Sequence, residues 1–531
     1  MRTKQLFFCS LTGLALLTTS CSSNDEALNG GNGTSNDGNT YAQIAISVAN
    51  SATTRTTTPG NTGDEVYGDD AEYTVNDLTV VLANENDIAM QVITPVMKDA
   101  TNTDVADDKL IRVTKPFQCT PGKYKVYVLA NYKNSQSSLS PIIKGSTDMK
   151  MVFSIGDKLS DIAKLYTEGN FFMTNVSAPG ETNIVAVEKA DGKEVDDAGK
   201  EITDGKNNLN LLKVDVERAV SKVTFDNKDN QLFEIKQGDN TKANTIAKAT
   251  LEGISLINLN KKMYLVKHNE SATNKPVAGD WPYPTDPNYN ETSIDKGYCE
   301  ANFTQTEASN FPAPSAAKFY CPENTMKAEA QLNGQTTGVV YKVKYVPEAA
   351  YYTELADKNG TDSYSQMFEA VLNLDDEVRD PAIKNTIFTT AEGTDGTDGT
   401  FYSYNGYVFK TKAGARLYKA IATNTDGKAA TVNAAFKTNA NDDDIQTYKE
   451  GYCYYTTWIK HNPGGTYMQQ DKYGVVRNFW YELTVNSIKK LGYSKPTYKE
   501  PTDPDDKAEA SIQVQVNIKK WRLVKQTTDL E

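Results

Sequence analysis

The sequence predicts a mostly β protein built from two tandem β-sandwich domains, with a separate strand at the C-terminus. Three observations support this prediction. The chain of 531 residues is too long for a single hydrophobic core. Short segments of Val, Ile, Thr and Tyr are separated by Gly, Asn and Asp, which is typical of strands joined by turns. The C-terminal segment alternates between apolar and polar residues, as a strand with one buried face does.

Composition and motifs argue against a nucleic-acid-binding protein and against an enzyme. The net charge is −13 and there is no basic run. The chain has no G-x-S-x-G, H-E-x-x-H or phosphate-loop motif, and nothing local would activate Cys453 with His461 as a nucleophile pair. Asp69–Asp70 and Asp442–Asp444 could bind a cation, but they lack the calcium-loop pattern, which favours solvated loops. We therefore expect no catalytic residues, no metal and no cofactor.

The cysteines do not indicate a metal site either. Two of the six, Cys9 and Cys21, lie in or beside the leader, and the other four are scattered without ligand-like spacing. Buried free thiols are the simplest interpretation. A single disulfide between Cys299 and Cys321 is the alternative in an oxidising compartment.

Residues 1–20 have the pattern of a secretory signal peptide. Arg2 and Lys4 precede an apolar run that is too short to span a membrane. The sequence L-T-T-S-C resembles a bacterial lipobox, in which Cys21 becomes the lipidated first residue. The alternative is an ordinary signal peptide with an incidental cysteine. The polar, Gly- and Asn-rich residues that follow are typical of a tether.

Residues 41–50 form the first predicted strand. Its apolar face consists of Ala42, Ile44, Ile46 and Val48. A loop of small polar residues follows and contains Arg55, followed by Thr56, which is the kind of flexible flank that a protease needs. Taken alone, the loop fits a solvated arginine better than a cleavage site.

The C-terminal strand has a similar apolar face. It follows a spacer rich in Pro and Asp, residues 501–506, and its inward positions are Ile512, Val514, Val516 and Ile518. Trp521 is out of phase with Ile518, which predicts a bulge before it, and Leu523 follows. Fully extended, residues 508–531 would span about 80 Å, enough to reach along a neighbouring subunit.

Several segments together resemble the type V pilus fimbrilins of Bacteroidales, most closely the major shaft subunits of the minor (short) fimbriae. They are the leader ending at Cys21, the Arg55 loop after one strand, V-D-V-E-R-A-V-S-K-V, Y-C-P-E-N-T, Y-C-Y-Y-T-T-W-I-K-H, Y-G-V-V-R-N-F-W-Y-E-L-T-V-N-S-I-K-K-L-G and W-R-L-V-K-Q-T-T-D-L. The resemblance covers both ends of the chain and the order of the segments between them.

The resemblance implies two transthyretin-like, Greek-key sandwiches. Their expected bounds are a signal peptide at 1–20, a lipidated propeptide at 21–55, sandwiches at 56–226 and 227–500, and a linker with a donor strand at 501–531. An Arg-specific or trypsin-like protease would cut after Arg55 and remove strand 41–50. The tail of a neighbouring copy would then fill the exposed groove.

The implied partners are copies of this chain, anchor and tip or accessory pilins, the protease, and the outer membrane through the lipid before cleavage. The expected location is a cell-surface fimbria whose precursor is lipid-anchored at the outer membrane. Host proteins or glycans are further partners to consider. The alternative is a surface lipoprotein that does not polymerise, or a tip or accessory adhesin that binds a glycan or a host protein.

Overall fold

The computed structural model describes sixteen segments of the chain. They are residues 40–48, 65–98, 105–106, 109–156, 159–186, 210–236, 245–268, 283–291, 298–299, 311–347, 367, 370–371, 399–438, 442–496, 501–507 and 512–522. These segments are mostly β. None of the helices within them is long and apolar enough to cross a membrane.

The first half of the chain contributes strands β1 to β14. They are β1 Thr40–Val48, β2 Glu65–Tyr67, β3 Leu78–Ala83, β4 Ala89–Ile93, β5 Val105–Ala106, β6 Lys109–Val113, β7 Phe117–Cys119, β8 Gly122–Ala130, β9 Phe153–Ser154, β10 Tyr166–Thr167, β11 Asn170–Phe171, β12 Met173–Asn175, β13 Glu181–Ile184 and β14 Asn210–Arg218. Two short helices accompany them, α1 Tyr132–Ser135 and α2 Leu159–Ala163.

The second half contributes the remaining strands. They are β15 Val220–Phe225, β16 Gln231–Lys236, β17 Thr245–Ile257, β18 Leu259–Asn260, β19 Lys262–Met263, β20 Tyr298–Cys299, β21 Lys318–Pro322, β22 Gly338–Pro347, β23 Phe401–Tyr404, β24 Tyr407–Phe409, β25 Gln446–Tyr448, β26 Tyr452–Trp458, β27 Phe479–Ile488 and β28 Ile512–Arg522. Helices α3 Lys412–Ala422 and α4 Ala429–Lys437 lie between β24 and β25. Short 3₁₀ turns occupy Asp70–Glu72, Pro314–Ala316, Ala328–Ala330, Lys449–Gly451 and Asp505–Lys507.

The N-terminal sheet has the strand order β4-β3-β8-β12-β14-β1-β6-β5, with β13 pairing β8 and β7 pairing β1. Strand β3 is buried on both faces, so its sequence L-T-V-V-L-A is nearly continuous in apolar residues. Strand β1 is therefore an interior strand of this sheet.

Two further sheets pack against each other in the second half. The tail sheet has the order β2-β28-β27-β15-β21, and the four-stranded sheet has the order β16-β17-β22-β26. The rings of Phe225 on β15 and Tyr341 on β22 meet edge to face with their centroids 6.2 Å apart. Side chains of both sheets belong to one hydrophobic cluster, which also includes the inward residues of β1. The mostly β, sandwich-type fold class predicted from the sequence is confirmed, whereas the predicted domain boundaries remain predictions.

The buried cysteines bear on the predicted disulfide. Cys119, Cys321 and Cys453 are free and buried. The sulfur of Cys321 lies 3.1 Å from the hydroxyl of Ser221 rather than in a disulfide with Cys299. Burial raises the pKa of Cys321 and of Cys453 to about 12, so both are inert thiols.

Candidate functional site

Strand β1 is hydrogen-bonded on both of its edges. It runs parallel to β14, where Ile46 lies opposite Val214, and antiparallel to β6, where Ile46 lies opposite Arg112. Its first residues also pair with β7. Removal of β1 would therefore leave unpaired backbone groups on two facing strand edges, the arrangement that a new strand can occupy.

The inward face of β1 is completely buried. The side chains of Ala42, Ile44, Ile46 and Val48 have an exposed fraction of 0%. Burial of each Ile or Val side chain contributes about 1.5–3 kcal/mol. The slot that β1 fills is thus a deep apolar groove with a position for an inserted side chain at every second residue.

Polar side chains fix the register of β1 in this slot. The amide nitrogen of Gln43 donates to the carbonyl of Thr114 at 2.9 Å, and the Ile44 N–H donates to the Thr114 hydroxyl at 3.2 Å. On the β14 side, Asn210 Nδ2 donates to the carbonyl of Tyr41 at 3.0 Å. A shift of one residue would break these contacts and turn the apolar face outward.

Strand β28, the predicted donor strand, pairs with β27 of its own chain. Positions Val514, Val516 and Ile518 lie opposite Val485, Leu483 and Tyr481, with a bulge between Val485 and Ser487. Val516 is buried, whereas Ile512 and Val514 are partly buried and pack against the main core. The C-terminal strand therefore has a place in its own subunit, contrary to the expectation that only a neighbour would use it.

The outer edge of β28 is covered at one end only. Strand β2 runs parallel to Lys520–Arg522, with Val66 opposite Trp521. Among the described residues, Ile512–Lys519 have a strand partner on β27 alone. Only the backbone is described for Ile518 and Trp521.

A buried ion pair holds the residues just after β2; we call it the Glu72 anchor. The Glu72 carboxylate lies 2.7 Å from Lys222 Nζ and accepts a hydrogen bond from the hydroxyl of Tyr320. It also accepts one from the Asp69 N–H at 3.0 Å, while Arg218 Nε donates to the Glu72 carbonyl at 2.9 Å. Burial lowers the pKa of Lys222, and the nearby Glu72 opposes this shift. The anchor joins the residues just after β2 to β14, β15 and β21.

The Pro/Asp-rich spacer before β28 is docked on the body of the protein. The Asp505 carboxylate is buried and accepts a hydrogen bond from the Thr336 hydroxyl. The Asp506 carboxylate lies 2.6 Å from Lys472 Nζ and accepts from the Tyr473 hydroxyl at 2.9 Å. The end of the spacer is therefore held on the body of the protein by two aspartates.

Several predicted site residues lie outside the described part of the chain. They are Cys21, Arg55, Thr56 and Leu523. Lipidation at Cys21 and cleavage between Arg55 and Thr56 therefore remain predictions.

The other candidate groups have structural partners. Cys453 contacts the hydroxyl of Tyr455, whereas His461 Nδ1 lies 2.7 Å from the hydroxyl of Tyr481. Asp69 pairs with Lys318 at 2.8 Å.

The second Asp cluster also pairs with basic side chains. Asp442 lies 2.7 Å from Arg416 and 3.3 Å from Lys412. In the described segments, no group of three or more His, Cys, Asp or Glu side chains is placed to hold a metal ion. The cysteine, histidine and aspartate candidates thus all have structural partners.

Comparison with known families gives two matches. Residues 42–218 match the family described as the major fimbrial subunit protein (FimA). Residues 446–527 match the family described as the C-terminal part of fimbrillin, the major fimbrial subunit protein type IV. The matches support a fimbrial structural role and imply a place in a cell-surface fimbria. These families are structural and not enzymatic.

Solved structures of Bacteroidales proteins are also similar to this chain. A candidate cell adhesion protein from Parabacteroides distasonis has 13% identity and a TM-score of 0.41, over 91% of this chain and 99% of that one. A fimbrilin (FimA) from Porphyromonas gingivalis has 14% identity and a TM-score of 0.38, over 91% and 99%. The tip fimbrial protein Mfa3 of that species has 12% identity and a TM-score of 0.29, over 91% and 100%. A comparison with curated protein sequences gives no match.

Proposed function

We propose that this chain is a shaft subunit of a type V fimbria, of the minor-fimbria kind, that polymerises by strand exchange. It is exported as a lipoprotein through Cys21 and anchored at the outer membrane. An Arg-specific or trypsin-like protease cuts between Arg55 and Thr56. Strand β1 then leaves, and strand β28 of another copy fills its slot. Anchor and tip or accessory pilins are its other partners.

The observation that supports this proposal most strongly is the position of β1. It is an interior strand with a fully buried face, yet it precedes the predicted cut. Once the chain is cut after Arg55, no peptide bond links β1 to the rest of the sheet, so its binding becomes reversible. Its departure would expose the inward positions of the slot and two unpaired edges, which is unstable until another strand binds.

The C-terminal strand meets the requirements of the incoming strand. Its inward positions are Ile, Val, Val and Ile at every second residue, against Ala, Ile, Ile and Val in β1. In its own subunit Val516 is buried and Ile512 and Val514 are partly buried, whereas all four inward residues of β1 are completely buried in the slot. A head-to-tail contact of this kind does not close on itself and therefore builds a filament.

Sequencing the N-terminus of the assembled protein is the direct test of the cleavage step. We expect it to begin at Thr56. Mature surface protein that still begins at Cys21 would contradict the proposed processing.

Donor-strand substitution tests the exchange step. Cut protein carrying Val516→Asp should remain monomeric because a carboxylate cannot enter an apolar groove. The matched control is Gln515→Asp on the exposed face of the same strand, which should give heat-sensitive polymer ladders on a denaturing gel. Deletion of residues 508–531 should leave a folded monomer that binds a synthetic peptide of those residues. Fibres formed by the deletion variant would contradict the assignment of the donor strand.

A further inference from the structure

Strand β2 connects the segment after the predicted cleavage site to the C-terminal strand. The backbone of Glu65–Tyr67 runs parallel to Lys520–Arg522, on the edge of β28 that faces away from β27. The far end of β28 is therefore paired on both sides. The preceding part of β28 has, within the described segments, a partner on β27 alone.

In the uncut chain, β2 is connected through the peptide chain to β1 on one side and to the Glu72 anchor on the other. Strand β1 ends at Val48 in the interior of the N-terminal sheet, and residues 49–64 join it to β2. After β2, the Glu72 anchor holds the chain through Lys222 and Arg218, both buried. Strand β2 thus belongs to a closed loop between two firmly held points.

A cut after Arg55 would open this loop. The covalent chain would then link β2 to the body only on its C-terminal side, through the Glu72 anchor. A segment with a free end gains more conformations when it unpairs than the same segment in a closed loop, so the cut favours separation of β2 from β28. The contacts between the two strands need not change for this to happen.

We propose that β2 is a strap that keeps the C-terminal strand on its own subunit until the loop at Arg55 is cut. This inference rests on the proposed function, and it adds that one cut both opens the acceptor slot and loosens the donor. An uncut copy can then neither accept a strand nor readily offer one. Cleavage thereby opens the acceptor and also makes the donor easier to release.

Hydrogen exchange on the full-length secreted protein tests the strap. A site for a highly specific protease replaces the residues around Arg55, and exchange of the 512–522 amides is measured before and after cutting. We expect exchange at 520–522 to become about two- to threefold faster after the cut, because a loop-closure term of this kind is worth about 0.6 kcal/mol. The matched control has the same site in the exposed turn Asn424–Gly427, where cutting should leave these amides unchanged.

A strap variant gives an independent test without any cut. The triple substitution E65G/V66S/Y67G removes strand-forming side chains and keeps the chain length. Uncut, it should show the fast exchange at 520–522 that the cut wild-type protein shows. Unchanged exchange in β17 and β22 establishes that the variant is folded.

The outcomes separate the strap from the proposed function. If cutting releases residues 1–55 while exchange at 520–522 stays the same, the strap is wrong and strand exchange stands. If exchange accelerates while β1 stays in place, the strap is supported and the proposed opening of the slot fails. Slow exchange in the uncut triple variant would also overturn the strap.

Discussion

Replacement of Ile46 by Ala should loosen the precursor and leave the finished fibre unaffected. Ile46 is fully buried between β14 and β6 in the slot of the N-terminal sheet. Loss of its outer carbons removes buried apolar surface and leaves a cavity, which costs about 3 kcal/mol at such a site. In the proposed mechanism residue 46 departs with the propeptide, so no fibre contact includes it.

The assay follows the release of fluorescently labelled segment 40–55, which contains β1, from cut protein. A cost of about 3 kcal/mol corresponds to about a 100-fold shift of the release equilibrium. The control Ser47→Ala removes a hydroxyl that donates to Asp215 on the other face, and its effect should be about 1 kcal/mol or less.

Fibre stability gives the second half of this test. Fibres assembled from the Ile46→Ala precursor should dissociate at the same temperature as wild-type fibres. Val516→Ala should act in the opposite way, since it weakens the fibre by about 2 kcal/mol per contact and leaves release of strand 40–55 unchanged. Fibres weakened by Ile46→Ala would refute the reasoning, because the strand would then be a permanent part of the subunit.

Three further predictions concern the body of the subunit. Glu72→Ala should lower the free energy of unfolding by about 3–5 kcal/mol, since it leaves Lys222 buried without its carboxylate, whereas Asp69→Ala at an exposed pair should cost less than about 1 kcal/mol by chemical denaturation. For Asp506, burial raises the pKa of the carboxyl, but hydrogen bonds, the strongest of them from Lys472, outweigh burial and lower the pKa overall. The carboxylate therefore stabilises the fold above the unfolded pKa of about 3.9. This stabilisation is lost as the pH falls through the lower pKa of the folded state. Asp506→Asn should therefore reduce stability at neutral pH and flatten its loss below about pH 4 in acid titrations followed by circular dichroism. Cys321 should resist alkylation by iodoacetamide in the native protein and react only after denaturation, because burial keeps it a thiol.

Strands β1 and β28 could be predicted from the sequence because the alternation that indicates a strand is a local pattern. Alternation of apolar and polar residues determines which face of a strand is buried. It predicted that Ile44 and Val48 lie on an inward face, and the structure places both in the core. Alternation does not determine which strand is the neighbour. The pairing of β28 with β27 of its own chain was therefore missed.

The charged parts of the structure could not be predicted in the same way. The Glu72 anchor joins residues about 150 apart in the chain, and no local pattern relates them. One signal was present, since Arg218 and Lys222 flank the apolar pair Ala219–Val220, and a buried cation requires a partner. The Pro/Asp-rich spacer was taken for an exposed linker from its composition alone. Its docking depends on Lys472 and Thr336, which are distant in sequence.

The proposed cut changes no contact of β1, so its effect must come from connectivity. In the uncut chain, β1 is tethered beside its slot at an effective concentration on the order of millimolar, and a strand from another copy cannot compete. After the cut, β1 has no covalent link to the sheet and stays with the lipidated propeptide once it dissociates, whereas the slot can be filled by the tail of an adjacent subunit. The two strands can then bury similar side chains with similar energies, and assembly still proceeds in one direction. A strap on the donor adds a second condition, so that both the donor and the acceptor depend on the same peptide bond.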